Sequence, residues 1–238
     1  MEIYITMKKM FTLSYDDNVL QDKRLVALLN KYGLKCTFNV NSGIFSDRTH
    51  VHTACGVTFE HFHIEPDEVK DLYAGHEVAT HSVTHPSLVG LDEERFTREV
   101  VGDMEALSSL VGYTVNGHAY PGGCFDEETA RRLGEKGIRY ARTIESTGTF
   151  AFPENPLIWN PTAAHVDVSD GLRVNKKLFE LADEFIAAES GLFYVWGHAY
   201  ELDPYDNWEV IEEFFKKISG HDDIMYLTNS QVLDELGL

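Results

Sequence analysis

Apolar residues in this chain keep switching between two periods. Short apolar runs of strand character alternate with stretches in which apolar residues recur every third or fourth position, as one face of a helix requires. "MFTLSY" predicts a first strand, and "DKRLVALLNKYG" a helix that stops at Gly33. "KCTFNVN" predicts the next strand, and "EPDEVKDLYAGH" a helix with Pro66 near its start and Gly75 at its end. "EVATHS" follows as a strand. The longest helix is "LDEERFTREVVGDMEALSSLVGY", with Asp92 as its N-cap and acidic residues in its first turn. "VNGHAYP", "IRYARTI", "LFYVWG" and "IMYLT" predict further strands. Helices "DEETARRLGEKG", "NKKLFELADEFIAA" and "NWEVIEEFFKKIS" separate them, and a short helix ends the chain. No repeat, low-complexity tract or Pro/Gly/Ser linker intervenes, so residues 1–238 read as one domain.

Repeated β-then-α units imply an α/β fold with a mainly parallel sheet, and about seven of them favour a closed or nearly closed barrel. In such barrels the reactive residues lie at the C-terminal ends of strands. Here those ends carry Asp16 and Asp17 after the first strand and His81 and His85 in "ATHSVTHPSL". Tyr120, Pro121, Gly122 and Gly123 follow a later strand, and His198 follows "FYVWG". Two adjacent carboxylates repel each other, and a bound cation offsets that repulsion. Two imidazoles and one carboxylate form a familiar catalytic zinc set with a fourth position for water. One aspartate can then ligate while its neighbour stays free as a base. Taken singly, an Asp-Asp pair also suits a helix N-cap with a solvated neighbour, and two histidines four apart are often surface or capping residues. His81 and His85 do not form the zinc-protease motif, since Ser82 stands where that motif has Glu. The pairs His50/His52 and His61/His63 lie in a segment with no clear strand register and read as loop histidines, with a secondary metal site as the lesser alternative and the main metal site as the least.

Charge narrows the partners. Thirty-nine acidic residues against twenty basic ones leave a net charge of −19, which repels nucleic acid and anionic membranes. Cys36, Cys55 and Cys124 are odd in number and widely spaced, as reduced thiols would be. The N-terminal "MEIYITMKKMFTL" has no long apolar core or cleavage site, and no apolar run reaches membrane-spanning length. A cytoplasmic location is expected.

Together, "SYDDN", "THSVTHP", "AYPGG" and "WGH" resemble, in order and spacing, the motifs of the polysaccharide deacetylase family, also called the NodB-homology domain or carbohydrate esterase family 4. The resemblance spans roughly residues 10–200, and "GHEVATHSVTHPSL" is its most specific part. It implies a distorted (β/α) barrel of about seven strands. It also implies Asp17, His81 and His85 as ligands of a divalent metal, zinc first, with cobalt or nickel as alternatives. Asp16 would be the catalytic base and His198 the general acid. Tyr120, Pro121, Gly122, Trp159 and Trp196 would border the substrate, with a backbone N–H near Gly122 facing the oxyanion, Trp159 as a pocket wall, and Tyr120, Trp196 and Tyr200 either stacking on a sugar ring or packing. His118 and His165 could stand near the site, but read more safely as buried or surface histidines. Two departures stand out: Asn18 replaces a glycine after the aspartate pair, altering a turn, and Ala119 stands where the family has the arginine that orients the base. The implied activity is removal of acetyl groups from N-acetylated sugars or polysaccharide. Hydrolysis of another small amide or an O-acetyl ester, or non-catalytic carbohydrate binding, remain as alternatives; intact Asp16 and His198 argue against the last.

Overall fold

The computed structural model describes residues 8–238. Its strands, in chain order, are β1 Lys9–Asp16, β2 Thr37–Val40, β3 Val51–Ala54, β4 Val57–Glu60, β5 Glu77–Thr80, β6 Gly117–Ala119, β7 Tyr140–Arg142, β8 Ala163–Ala164, β9 Val166–Asp167, β10 Arg173–Val174, β11 Gly191–His198 and β12 Ile224–Tyr226. The helices are α1 Asp22–Lys31, α2 Val69–Leu72, α3 Glu93–Val111, α4 Glu127–Glu135, α5 Lys177–Ala187, α6 Asn207–Ile218 and α7 Asn229–Leu236.

The main sheet is parallel, in the order β7-β6-β5-β2-β1-β11-β8. β1 is its axis. It pairs along its whole length with β11, which sets Asp16 opposite His198. Its other edge is shared: Lys9–Phe11 pair with β12, and Ser14–Asp16 with β2. The outer strands β7 and β8 are joined across the gap by residues 159–165. Trp159 bridges to Arg142, and its N–H donates to the Ala141 carbonyl at 2.9 Å. Thr162 and His165 then donate to the carbonyls of Tyr194 and Trp196 on β11, each at 2.8 Å. The sheet therefore curls into a distorted barrel, as the β/α alternation predicts.

Successive side chains of a strand point to opposite faces. Phe11, Leu13 and Tyr15 of β1, with Phe193 and Val195 of β11, join the main hydrophobic cluster with residues of α1, α5 and α6. The alternate residues point into the barrel. Met10, Leu192 and Tyr194 pack there with Tyr140 and Trp159. Above them the interior turns polar: Asn39 donates to Ser14 at 2.7 Å and to Asp16 Oδ1 at 2.7 Å. The apolar lower layer thus supports a polar upper layer at the strands' C-terminal ends.

The helices begin and end where their chemistry directs. The Asp92 carboxylate accepts from the Arg95 N–H at 2.8 Å, capping α3, and Gly112 ends it at φ 84°. The helix expected over 65–76 is shorter, a 3₁₀ turn Pro66–Glu68 running into α2. One expectation fails: the stretch read as loop around the early histidines holds the antiparallel hairpin β3–β4. Its turn is Cys55-Gly56, with φ 50° and 78°, the double left-handed geometry of a tight two-residue hairpin turn. A cysteine in the first of these positions hides the turn from a sequence reading.

Candidate metal and catalytic site

At the top of β1 the chain turns sharply. Asp17 and Asn18 both take left-handed conformations, at φ 77° and 40°. Asparagine tolerates this better than most residues, and Asn18 is fixed further because its Oδ1 accepts from the Asn41 N–H at 2.9 Å. Both aspartates are buried, Asp16 at 3% and Asp17 at 5% exposure.

The loop after β5 brings the two histidines in. Ser82 and His85 are left-handed at φ 67° and 58°, a strained path for residues with a Cβ. Two buried carboxylates of α3 hold that path. Asp103 accepts from the N–H groups of Ser42 and His81 at 2.8 and 3.1 Å, and Glu99 from the Thr84 N–H at 2.9 Å and its hydroxyl at 3.0 Å. Nδ1 of His81 lies 2.8 Å from the Ala119 carbonyl, which can only accept, so the proton sits on Nδ1 and Nε2 presents its lone pair. That Nε2 is 3.5 Å from Asp17 Oδ1, and His85 Nε2 is 3.7 Å from the same oxygen.

Two ligands about 2.1 Å from a tetrahedral ion lie about 3.4 Å apart, so these separations suit a zinc-sized cation. Among the described residues, one set of three such groups has its ligand atoms all within 4.8 Å of one another, and it is Asp17, His81 and His85. Burial pushes His81 down to about 4, so the imidazole is neutral and able to ligate. Burial alone would push Asp17 up; the His61 hydrogen bond and the charges of His198, His81 and His85 outweigh it and hold the carboxyl well below its usual range.

Asp16 faces a different set. Burial raises its pKa, but Arg142, then His81 and His198, bring it below the ordinary value. Arg142, fully buried at the end of β7, makes an ion pair with Asp16 Oδ2 and stacks on Trp196 with its guanidinium 4.6 Å from the ring centre. The guanidinium expected from the position of Ala119 on β6 therefore arrives from the neighbouring strand. An arginine inside the apolar run "IRYARTI" was the available signal.

His198 Nε2 lies 4.0 Å from Asp16 Oδ2 and 3.9 Å from Asp17 Oδ2. Burial would lower its pKa, but Glu201, Asp17 and Asp16 push it up to about 9. Its Nδ1 is 3.2 Å from Glu201 Oε2, an ion-pair contact too poorly aligned for a good hydrogen bond, while its N–H donates to that oxygen at 3.0 Å. Glu201 is held in turn by His165 Nε2 at 2.8 Å, and His165 Nδ1 by the Tyr15 hydroxyl at 3.0 Å. Gly197 makes room for this chain, since a Cβ there would lie 1.9 Å from the His165 ring. His165 is buried and stands directly behind the site. His118 is buried against the Thr80 hydroxyl at 2.7 Å.

The expected substrate-bordering residues separate into two groups. Gly122, left-handed at φ 60°, is exposed at the rim, and Trp196 is half-buried beside Arg142. Pro121 is buried. Tyr120 is buried too, stacked on Phe125 with its hydroxyl donating to the Leu157 carbonyl at 2.7 Å. Trp159 packs between Tyr140 and Tyr194 in the barrel. Their faces are taken up by packing, so Tyr120 and Trp159 do not form an open wall. Tyr200 stacks on His198 with ring centres 5.0 Å apart. His61, read from the sequence as a loop histidine with only a lesser chance of a secondary metal site, reaches the site as well. The ladder that extends hairpin β3–β4 carries it to the rim, where its Nε2 is 3.4 Å from Asp17 Oδ2.

The polysaccharide deacetylase family model matches residues 4–141. No curated protein matches the chain in sequence. Solved structures do match in shape. A Mycobacterium smegmatis protein assigned to the polysaccharide deacetylases superposes with a TM-score of 0.65 at 17% identity, over 97% of this chain and 91% of that one. Puue allantoinase gives 0.64 at 15% identity, over 95% and 89%. A family 4 acetyl xylan esterase from Clostridium thermocellum, in complex with a cobalt ion, gives 0.61 at 14% identity, over 97% and 93%. At such identities these likenesses establish the fold. The matched stretch is more than half of the sequence and contains both aspartates, both loop histidines and the Tyr120–Gly123 turn, and the chain accordingly belongs to the polysaccharide deacetylase family.

Proposed function

We propose that this protein is a metal-dependent hydrolase that removes acetyl groups from N-acetylated sugars. The observation that carries the reading is the meeting of five side chains at one rim: Asp17, His81 and His85 spaced for an ion, with Asp16 and His198 beside them. A divalent cation held by the first three would supply a Lewis acid for the acetyl carbonyl and make water easier to deprotonate. The cobalt ion in the Clostridium esterase supports a divalent metal on this fold.

The chain's own residues then divide the proton work. Asp16 is ionised, anchored by Arg142 and Asn39, and does not need to ligate; it accepts the proton of the attacking water. His198, protonated at neutral pH by its carboxylate neighbours, donates to the departing nitrogen, which leaves poorly as an anion. Burial of the aspartates keeps bulk water away, which strengthens each of these interactions.

A second reading keeps the chemistry and changes the substrate. The cavity beside Asp17 holds about 200 Å³ and is lined in part by His50 and His61, which flank hairpin β3–β4. That flank of the site admits only a compact group, so a small amide or ester fits it as well as a sugar's acetyl group does. An amine- and acetate-release panel separates the two, run on N-acetylated sugars, chito-oligomers, small amides and O-acetyl esters with and without chelator. Chelator-sensitive release from acetylated sugars supports the first reading. Release confined to small amides or esters replaces it with the second, and chelator-insensitive release rejects both.

A further inference from the structure

His50, His61 and His63, which flank hairpin β3–β4, hold no ion and move no proton in the chemistry above. His61 and His63 sit two apart on an extended segment, where the His61 N–H donates to the His50 carbonyl at 3.1 Å and the His63 N–H to the Asp47 carbonyl at 3.0 Å. With Asp17, His50, His85 and Asp47 they line the small cavity next to the proposed metal triad.

The two oxygens of Asp17 face different imidazoles. Its Oδ1 faces His81 and His85 at 3.5 and 3.7 Å, and its Oδ2 faces His61 at 3.4 Å, with His198 at 3.9 Å. The ring centres of His81 and His85 are 4.7 Å apart, and those of His61 and His63 are 5.0 Å apart. His63 is 2% exposed, yet neither of its ring nitrogens has a hydrogen-bond partner among the described residues. Buried polar atoms are seldom left this way without an ion or a water to satisfy them.

We propose that this cavity is a second divalent-cation site, held by Oδ2 of Asp17 and the imidazoles of His61 and His63, with Asp17 bridging two ions. The proposal rests on Asp17, His81 and His85 holding the first ion. Imidazole and carboxylate together suit zinc and its neighbours, not calcium or magnesium. The ligand atoms of this second set are less closely gathered than those of the first, so its ion binds more weakly.

The test is a titration of untagged, metal-stripped protein with zinc chloride, read by calorimetry and by elemental analysis after desalting. The wild type should take up two ions per chain, one tight and one weaker. His63→Ala should keep the tight ion and lose the weaker one, and His61→Ala, at a residue less deeply buried, should do the same if His63→Ala does not fold. His81→Ala should lose the tight ion. A wild type that binds one ion, lost in His81→Ala, overturns this proposal alone. A weaker ion untouched by both His61→Ala and His63→Ala overturns it as well. A wild type that binds no zinc overturns both this proposal and the metal-dependent activity.

Discussion

Asp16 and Asp17 are neighbours in sequence but face different partners, and the roles proposed for them follow that difference. Asp17 looks toward four imidazoles, whereas Asp16 is tied to Arg142 and Asn39. Asp16→Asn should therefore retain bound zinc while turnover falls by about 10²–10⁴-fold. Asp17→Asn should lose zinc first, and metal content against activity in the two variants checks this. His198→Ala should abolish acetamide hydrolysis but spare much of any chelator-sensitive aryl acetate hydrolysis, because a phenolate leaves unaided and an amine does not. Equal fractional losses on both substrates would remove His198 from the acid's role. A further residue sets a pH dependence away from the site. Asp22 is buried against the Tyr73 hydroxyl at 2.6 Å, and burial pushes it up to about 8. A raised carboxyl contributes stability fully below its unfolded value, about 3.8, and loses it as pH rises through 8. Chemical denaturation should thus find Asp22→Asn close to the wild type near pH 4 and progressively favoured toward pH 8, by on the order of a few kcal/mol. The aspartate pair and the two loop histidines were legible in sequence because each pair is compact in the chain. Arg142 was not, because the strand that brings it to Asp16 lies far away in sequence, and Glu201, only three residues from His198, was not because it sits in a short 3₁₀ turn that no periodic pattern marks.

Among the elements, strand β11 and helix α3 carry the site's precision. Gly197 lies in β11 with the His165 ring against its Cα, so Gly197→Ala should cost about 1–3 kcal/mol in thermal unfolding and disturb the contact between Glu201 and His198. Gly102 in the middle of α3 is the opposite case: a Cβ there meets Val83 at an ordinary 3.6 Å. Gly102→Ala should stabilise by about 0.5–1 kcal/mol, because alanine loses less backbone freedom in a helix. Helix α3 was legible to its cap, since Asp92 and Gly112 mark its ends chemically. Hairpin β3–β4 was not, because its residues show no apolar alternation and its turn places a cysteine where asparagine or glycine is usual. Residues 159–165 were missed for a related reason. They close the barrel by a few backbone bonds and a bridge, and no periodic pattern encodes them.

For the whole molecule, the alternation of strands and helices foretold a parallel barrel, and the rule that such barrels react at the strands' C-terminal ends located the rim. The layered interior, apolar around Met10, Tyr140 and Trp159 and polar around Asn39, Asp16 and Arg142, gives that rule its physical basis here. In the proposed function one ion, held by Asp17, His81 and His85, carries acetamide hydrolysis. The most direct measurement is acetate release from an N-acetylated sugar by chelator-stripped protein as zinc is added back. No release is expected without metal, and recovery should track the first equivalent per chain and be absent in His81→Ala. Full turnover by metal-free protein, or undiminished recovery in His81→Ala, would contradict it.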